Sequence, residues 1–126
     1  MTKRPLSITI ISWIFIVFGA VSFLATLLPL TDSATAQRIT GHPFEFGFMA
    51  AARILTVFIG VFMLYGFNWA RWLLVIWVVG HIVLSIFHSL SEVFMHSLFF
   101  AVLLYFVFRP QASAYFRGTS GVPPQE

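Results

Sequence analysis

The stretch 68-NWARWLLVIWVVGHIVLSIFHSLSEVFMHSLFFAVLLYFVF-108 decides the fold. It contains no proline and one glycine, Gly80, so no backbone chemistry within it forces a helix to stop. As a single helix its 41 residues would reach roughly 60 Å, about twice the ~30 Å hydrocarbon core of a bilayer. The chain must therefore turn near the middle. The polar cluster there is His88-Ser89-Leu90-Ser91-Glu92. Ser89-x-x-Glu92 also reads as a capping box ahead of an apolar run, the serine hydroxyl taking the N–H three residues on. The stretch divides into a helix over about 69–88 and another over about 90–108.

Working outward, two more apolar runs have spanning length. Ile8 to Leu28 is ended by Pro29, and Phe48 to Phe67 supplies the other. Composition agrees. Hydrophobic residues make up 60% of the 126 and charged residues 9%, against roughly 25% charged in soluble domains. A small soluble chain could not hide that much apolar surface, because surface grows relative to volume as a domain shrinks. The expectation is an all-α polytopic membrane protein, a four-helix bundle over residues 1–117 with a flexible cytoplasmic tail at 118–126. Lys3-Arg4 before the first run and Ala34-Thr35-Ala36 after it mimic a secretory signal, but 21 apolar residues exceed the usual 7–15. The run reads as a retained anchor.

Orientation follows from the basic residues near the spans. Lys3, Arg4, Arg71, Arg109 and Arg117 fall on one side of a four-pass chain, and Arg38 alone on the other. Both termini are thus expected in the cytoplasm. Asp32, Glu45 and Glu92 fall on the outer side. The long loop from Pro29 to Gly47 has room for a short interfacial helix capped by Asp32 and stopped at Gly41. Tyr65, Trp69 and Trp72 read as inner-boundary anchors. Small residues recur at helical spacing (Ser12, Gly19 and Ser22; Ala52, Thr56 and Gly60; Ser97 and Ala101), as close helix packing in lipid requires.

Several functions are excluded. With no cysteine there is no disulfide framework, thiolate metal site or Cys-x-x-Cys redox pair. The net charge of +3 comes from scattered residues rather than a clustered basic face, which argues against nucleic acid. No Gly-rich phosphate loop, Gly-x-Ser-x-Gly elbow or His-Glu-x-x-His is present, so no catalytic residue is assigned. Small multidrug exporters rely on a glutamate in their first helix, and Ile8 to Leu28 contains no acid.

What remains is a concentration of ionisable groups in the outer half of the bundle: Arg53, His81, His88, Glu92 and His96, approached by His42 and Glu45. A charge at mid-bilayer costs about 2.5–3.5 kcal/mol on insertion scales, so Arg53 needs a partner or a wet cavity. Glu92 and Glu45 are its expected partners, in a salt bridge reached by snorkelling. His81 and His88, seven apart, share a face ~10 Å apart along the axis and so cannot ligate one haem from opposite sides. His88, Glu92 and His96 surround the turn and offer zinc ligands, though without a diagnostic spacing. No cofactor or metal is assigned.

Arg4-Pro5-Leu6 before the first span, Asn68-Trp69-Ala70-Arg71 after the second, and Arg109-Pro110-x-Ala112-x-x-Tyr115-Phe116 after the fourth resemble the helix boundaries of small four-helix integral membrane proteins of bacteria. In size and helix count alone the chain is also similar to DoxX-like proteins. The resemblance implies a bacterial inner-membrane protein and carries no activity or functional residue to transfer. The leading expectation is a non-enzymatic accessory or scaffolding subunit docked on a larger membrane complex, respiratory or photosynthetic complexes being the examples in view. Its partners would be lipid and other membrane subunits or further copies of itself. The rival is a small ligand-binding or transport module built on the outer-half cluster, and a third reading is a histidine-ligated metal or haem protein.

Overall fold

A computed structural model describes residues 3–118, and every regular element among them is helical. The elements are α1 (Leu6–Leu27), a 3-10 turn (Leu28–Thr31), α2 (Ser33–Thr40), α3 (Pro43–Leu64), α4 (Asn68–Ser85), α5 (Leu90–Phe108) and α6 (Pro110–Gly118). Four of them, α1 with its 3-10 extension, α3, α4 and α5, are long and apolar enough to cross a membrane. Their outward faces carry large exposed apolar side chains such as Val17, Phe58, Ile76 and Tyr105. Such faces suit a lipid solvent, in which a helix satisfies every backbone group internally. The tail expected to be flexible lies, from residue 119 on, outside the described residues.

The ends of the helices follow local chemistry. α3 stops at Leu64 rather than at 67 because Gly66 adopts φ 78°, a left-handed conformation that only glycine enters without penalty. Gly66 N–H donates to Met63 O at 3.1 Å and Phe67 N–H to Phe62 O at 3.2 Å. This is a Schellman closure, completed by the edge-on Phe62–Phe67 contact at 5.6 Å. At its other end α3 begins at Pro43, five residues before the expected start, since proline at the first turn loses no bonded N–H.

α4 ends at Ser85, three residues short of the expected 88, and the chain reverses over residues 86–89. Ser89 Oγ accepts from Glu92 N–H at 3.2 Å, giving α5 its N-cap. Only half of the capping box forms, because Ser89 N–H is already given to Ser85 O at 3.1 Å. In the long loop Asp32 caps α2: its carboxylate accepts from Thr35 N–H at 3.0 Å and Thr35 Oγ1–H at 2.6 Å. These two bonds hold the Asp32 carboxyl below its ordinary pKa.

Packing pairs α1 with α3 and α4 with α5. A Cβ on Gly60 would lie 2.6 Å from Ser12 O, and one on Gly19 2.8 Å from Val57 Cγ2, so these glycines let the α1 and α3 backbones nearly touch. Close approach is what holds helices in lipid, where burial of apolar surface drives nothing. α6, which the sequence reading passed over as stop signals, folds back under the bundle and buries Ala112, Tyr115 and Phe116 at helical spacing. Tyr115 Oη donates to Leu64 O at 2.7 Å, and Arg4 Nη1 donates to the same carbonyl at 3.1 Å. Arg109 Nη2 meets Ser7 Oγ at 2.8 Å, so both ends of the described chain close one end of the bundle.

Candidate functional site

All four long helices contribute to one cavity of about 610 Å³ toward the bundle end opposite the termini. α3 supplies Arg53 and Thr56, α4 supplies Trp77 and His81, and α5 supplies His96. The remaining wall is apolar, with Phe15 and Phe18 from α1 facing Phe99 from α5. Arg53, Trp77 and His81 also border a second cleft of about 410 Å³ between α3 and α4. The polar groups thus stand on a partition between two spaces.

Three of the five residues singled out from the sequence, Arg53, His81 and His96, come together here. His88 and Glu92 do not. Because α4 ends at Ser85, His88 lies in the reversing turn, exposed, its Nδ1–H given to Leu84 O at 3.0 Å, instead of two turns above His81. Glu92 is exposed on the first turn of α5. The trio His88, Glu92 and His96 therefore does not gather, and among the described residues no three His, Asp or Glu side chains are grouped to hold a metal.

The expected salt bridge is also absent. Among the described residues Arg53 makes no ion pair and no hydrogen bond, and the ion pair that does occur joins His42 to Glu45 at 4.0 Å. Depth explains this. α3 has 22 residues and Arg53 is ten beyond Pro43, ~15 Å along the axis and at the helix midpoint. Glu45 is eight residues away, ~12 Å nearer the end, beyond the reach of a guanidinium. Arg53 is therefore a half-buried cation at mid-span, facing a cavity rather than a carboxylate.

The two imidazoles are held by their own helices. His81 Nδ1 lies 3.1 Å from Trp77 O, and His96 Nδ1 2.7 Å from Glu92 O. A carbonyl only accepts, so in both rings Nδ1 carries the hydrogen and the neutral ring keeps Nε2 as a bare acceptor. Trp77 stacks on His81 with centroids 3.7 Å apart. Ser85 Oγ donates to His81 O at 2.8 Å and lies 3.0 Å from His96 Nδ1, tying α4 to α5 at this level. The two rings sit 6.2 Å apart by centroid. The site thus offers one unpaired cationic donor, two imidazole acceptors and an aromatic wall.

The sequence placed His81 and His96 in one outer-half cluster without singling out the pair, although a signal for it existed. In a hairpin that turns at 86–89, positions 81 and 96 are nearly symmetric about the turn and must lie at similar depth. Thr56 and Trp77 had no polar spacing to mark them, and only the packing brings them to the cavity. No family profile, curated protein or solved structure matches this chain.

Proposed function

We propose that this is a membrane-embedded binding module for a lipophilic small molecule whose head carries negative charge or strong hydrogen-bond acceptors. The observation that carries the reading is Arg53: a mid-span guanidinium without a partner among the described residues, on the wall of a cavity it shares with His81 and His96. Intramembrane charges that are kept usually face a ligand, an ion path or water. A predominantly apolar wall with a few convergent polar groups is the usual make-up of a small-molecule site. The head pairs with Arg53, any hydroxyl on it donates to a histidine Nε2, and the aromatic rings enclose the rest. The accessory-subunit reading draws on exposed apolar helices, which lipid alone also accounts for; the convergence of three polar side chains favours binding.

The proposed setting is a bacterial cytoplasmic membrane with both termini inside, supported by Arg4, Arg71, Arg109 and Arg117 at the termini end and Asp32, Glu45 and Glu92 at the other. Purification in mild detergent followed by native mass spectrometry tests the binding role. Wild type should retain small amphiphilic adducts that Arg53→Gln and His81→Phe lose; identical adduct patterns in all three would sink it. Because the chain lacks cysteine, single Ala34→Cys and Ala114→Cys variants report orientation. An impermeant thiol reagent added to intact cells should label only the former.

A further inference from the structure

The cavity has an apolar extension whose shape and position narrow the ligand. Between α1 and α5 runs a groove of about 250 Å³ whose walls are apolar except for Ser7 at its termini end, where the hydroxyl is taken by Arg109. Ile14, Phe15 and Phe99 line both the groove and the polar cavity, so the two adjoin there. From there the groove follows Ile10 on α1 and Val102 and Phe106 on α5 toward the termini end. Seven residues separate Phe99 from Phe106, so it extends ~10 Å along the helices, the scale of one medium-length alkyl chain. α1 and α5 pack sparsely beside it, and Ile10 and Val102 are 50% and 46% exposed. The groove is open sideways.

Resting on the binding role proposed above, we infer that the ligand is a single-chain carboxylic acid, its head against Arg53, His81 and His96 and its tail in the α1–α5 groove. Three observations select this class. The groove's volume admits one chain and not the two of a phospholipid. Head and tail subsites sit at successive depths along α1 and α5, as the two ends of one extended amphiphile do. Finally, Arg53 lies ~15 Å below the end of α3, so a head reaching it through lipid must cross hydrocarbon. A carboxylic acid does so by taking up a proton and becoming neutral, whereas a phosphodiester keeps its charge and the full desolvation penalty. Once seated, the neutral acid donates its O–H to a bare Nε2 and accepts at its carbonyl from Arg53. The ionised acid takes the guanidinium with both oxygens, the bidentate geometry for which arginine is suited.

Photocrosslinking of the full chain in lipid nanodiscs tests this with two dodecanoic acids, one bearing a diazirine beside the carboxyl and one at the chain end. The head probe should label Met95, His96 or Phe99, and the chain-end probe Ile10, Val102 or Phe106. The methyl ester of either probe should label neither set. Val102→Trp, a change at a half-exposed groove position, should displace the chain-end label while leaving the head label in place. If the head label depends on Arg53 but the chain-end label is scattered over the lipid-facing surface, the single-chain tail site is wrong and the binding role survives. A head label unaffected by Arg53→Gln overturns both. Equal labelling by acid and methyl ester overturns the carboxyl assignment.

Discussion

Replacing Arg53 with methionine should make the ligand-free protein more stable and, in the same step, unable to bind. Arg53 sits at the midpoint of a 22-residue helix, ~15 Å from either end, half-buried and without an ion pair among the described residues. On insertion scales a cation at that depth costs about 2.5–3.5 kcal/mol. That figure is an upper bound for folding, because the unfolded chain in a micelle lets the side chain snorkel to water and the open cavity hydrates it in part. A gain of about 1–2 kcal/mol remains for a flexible apolar residue of similar length, which can also fill part of the cavity. Reversible unfolding in mixed micelles with increasing dodecyl sulfate, followed by helical circular dichroism, measures the difference. Delipidated protein must be used, since a retained ligand would stabilise wild type selectively. If Arg53→Met lowers stability by 1 kcal/mol or more, the guanidinium holds the helices together and the argument for a ligand-facing cation collapses.

The same substitution at two glycines should have opposite signs. Gly60→Ala places a Cβ 2.6 Å from Ser12 O and forces α1 and α3 apart, a loss of about 1–3 kcal/mol, whereas Gly80→Ala meets nothing within 4 Å and should gain up to ~1 kcal/mol from helix propensity alone. Equal effects in the unfolding assay would refute the close crossing. Ser89→Ala removes the N-cap of α5 and should lose about 1 kcal/mol, with faster hydrogen exchange at Glu92 N–H as its local signature. The α2 cap is acid-sensitive. Asp32 has its pKa depressed by the Thr35 bonds, so its contribution to α2 is present above the ordinary carboxyl value of 3.8 and is lost as pH falls through the depressed folded value. Amide exchange in α2 should rise only at that acid end, and Asp32→Asn should remove the pH dependence.

How much of this was legible depends on which constraint acted. Bilayer thickness is global and strict, so it required the 41-residue run to turn near its middle, and the polar cluster at 88–92 located the turn within three residues. The Asp32 and Ser89 caps use side chains whose chemistry is local, and both could be read directly. The end of α3 was misplaced because Gly66 was counted among apolar neighbours, although its left-handed turn outranks the hydropathy of Phe67. α6 was invisible for a related reason: Pro110 and Arg109 signal that a span has ended, yet Ala112, Tyr115 and Phe116 repeat at a spacing that starts another helix. For the site, depth along each helix was readable and azimuth was not. Arg53, His81 and His96 were thus grouped correctly, while His88 was added on the expectation that α4 runs to 88 and Glu92 because it lies at a similar depth.

The carbonyl of Leu64 gathers donors from Arg4, near the beginning of the chain, and from Tyr115, near the end of what is described. A nascent chain emerging from the ribosome has four insertable helices before the second of these donors exists. Until Tyr115 is synthesised the α3 terminus lacks that donor and is met by Arg4 alone. A product stopped at residue 109 would keep the Arg4–Leu64 and Arg109–Ser7 bonds and lack only the latch that α6 adds at this end.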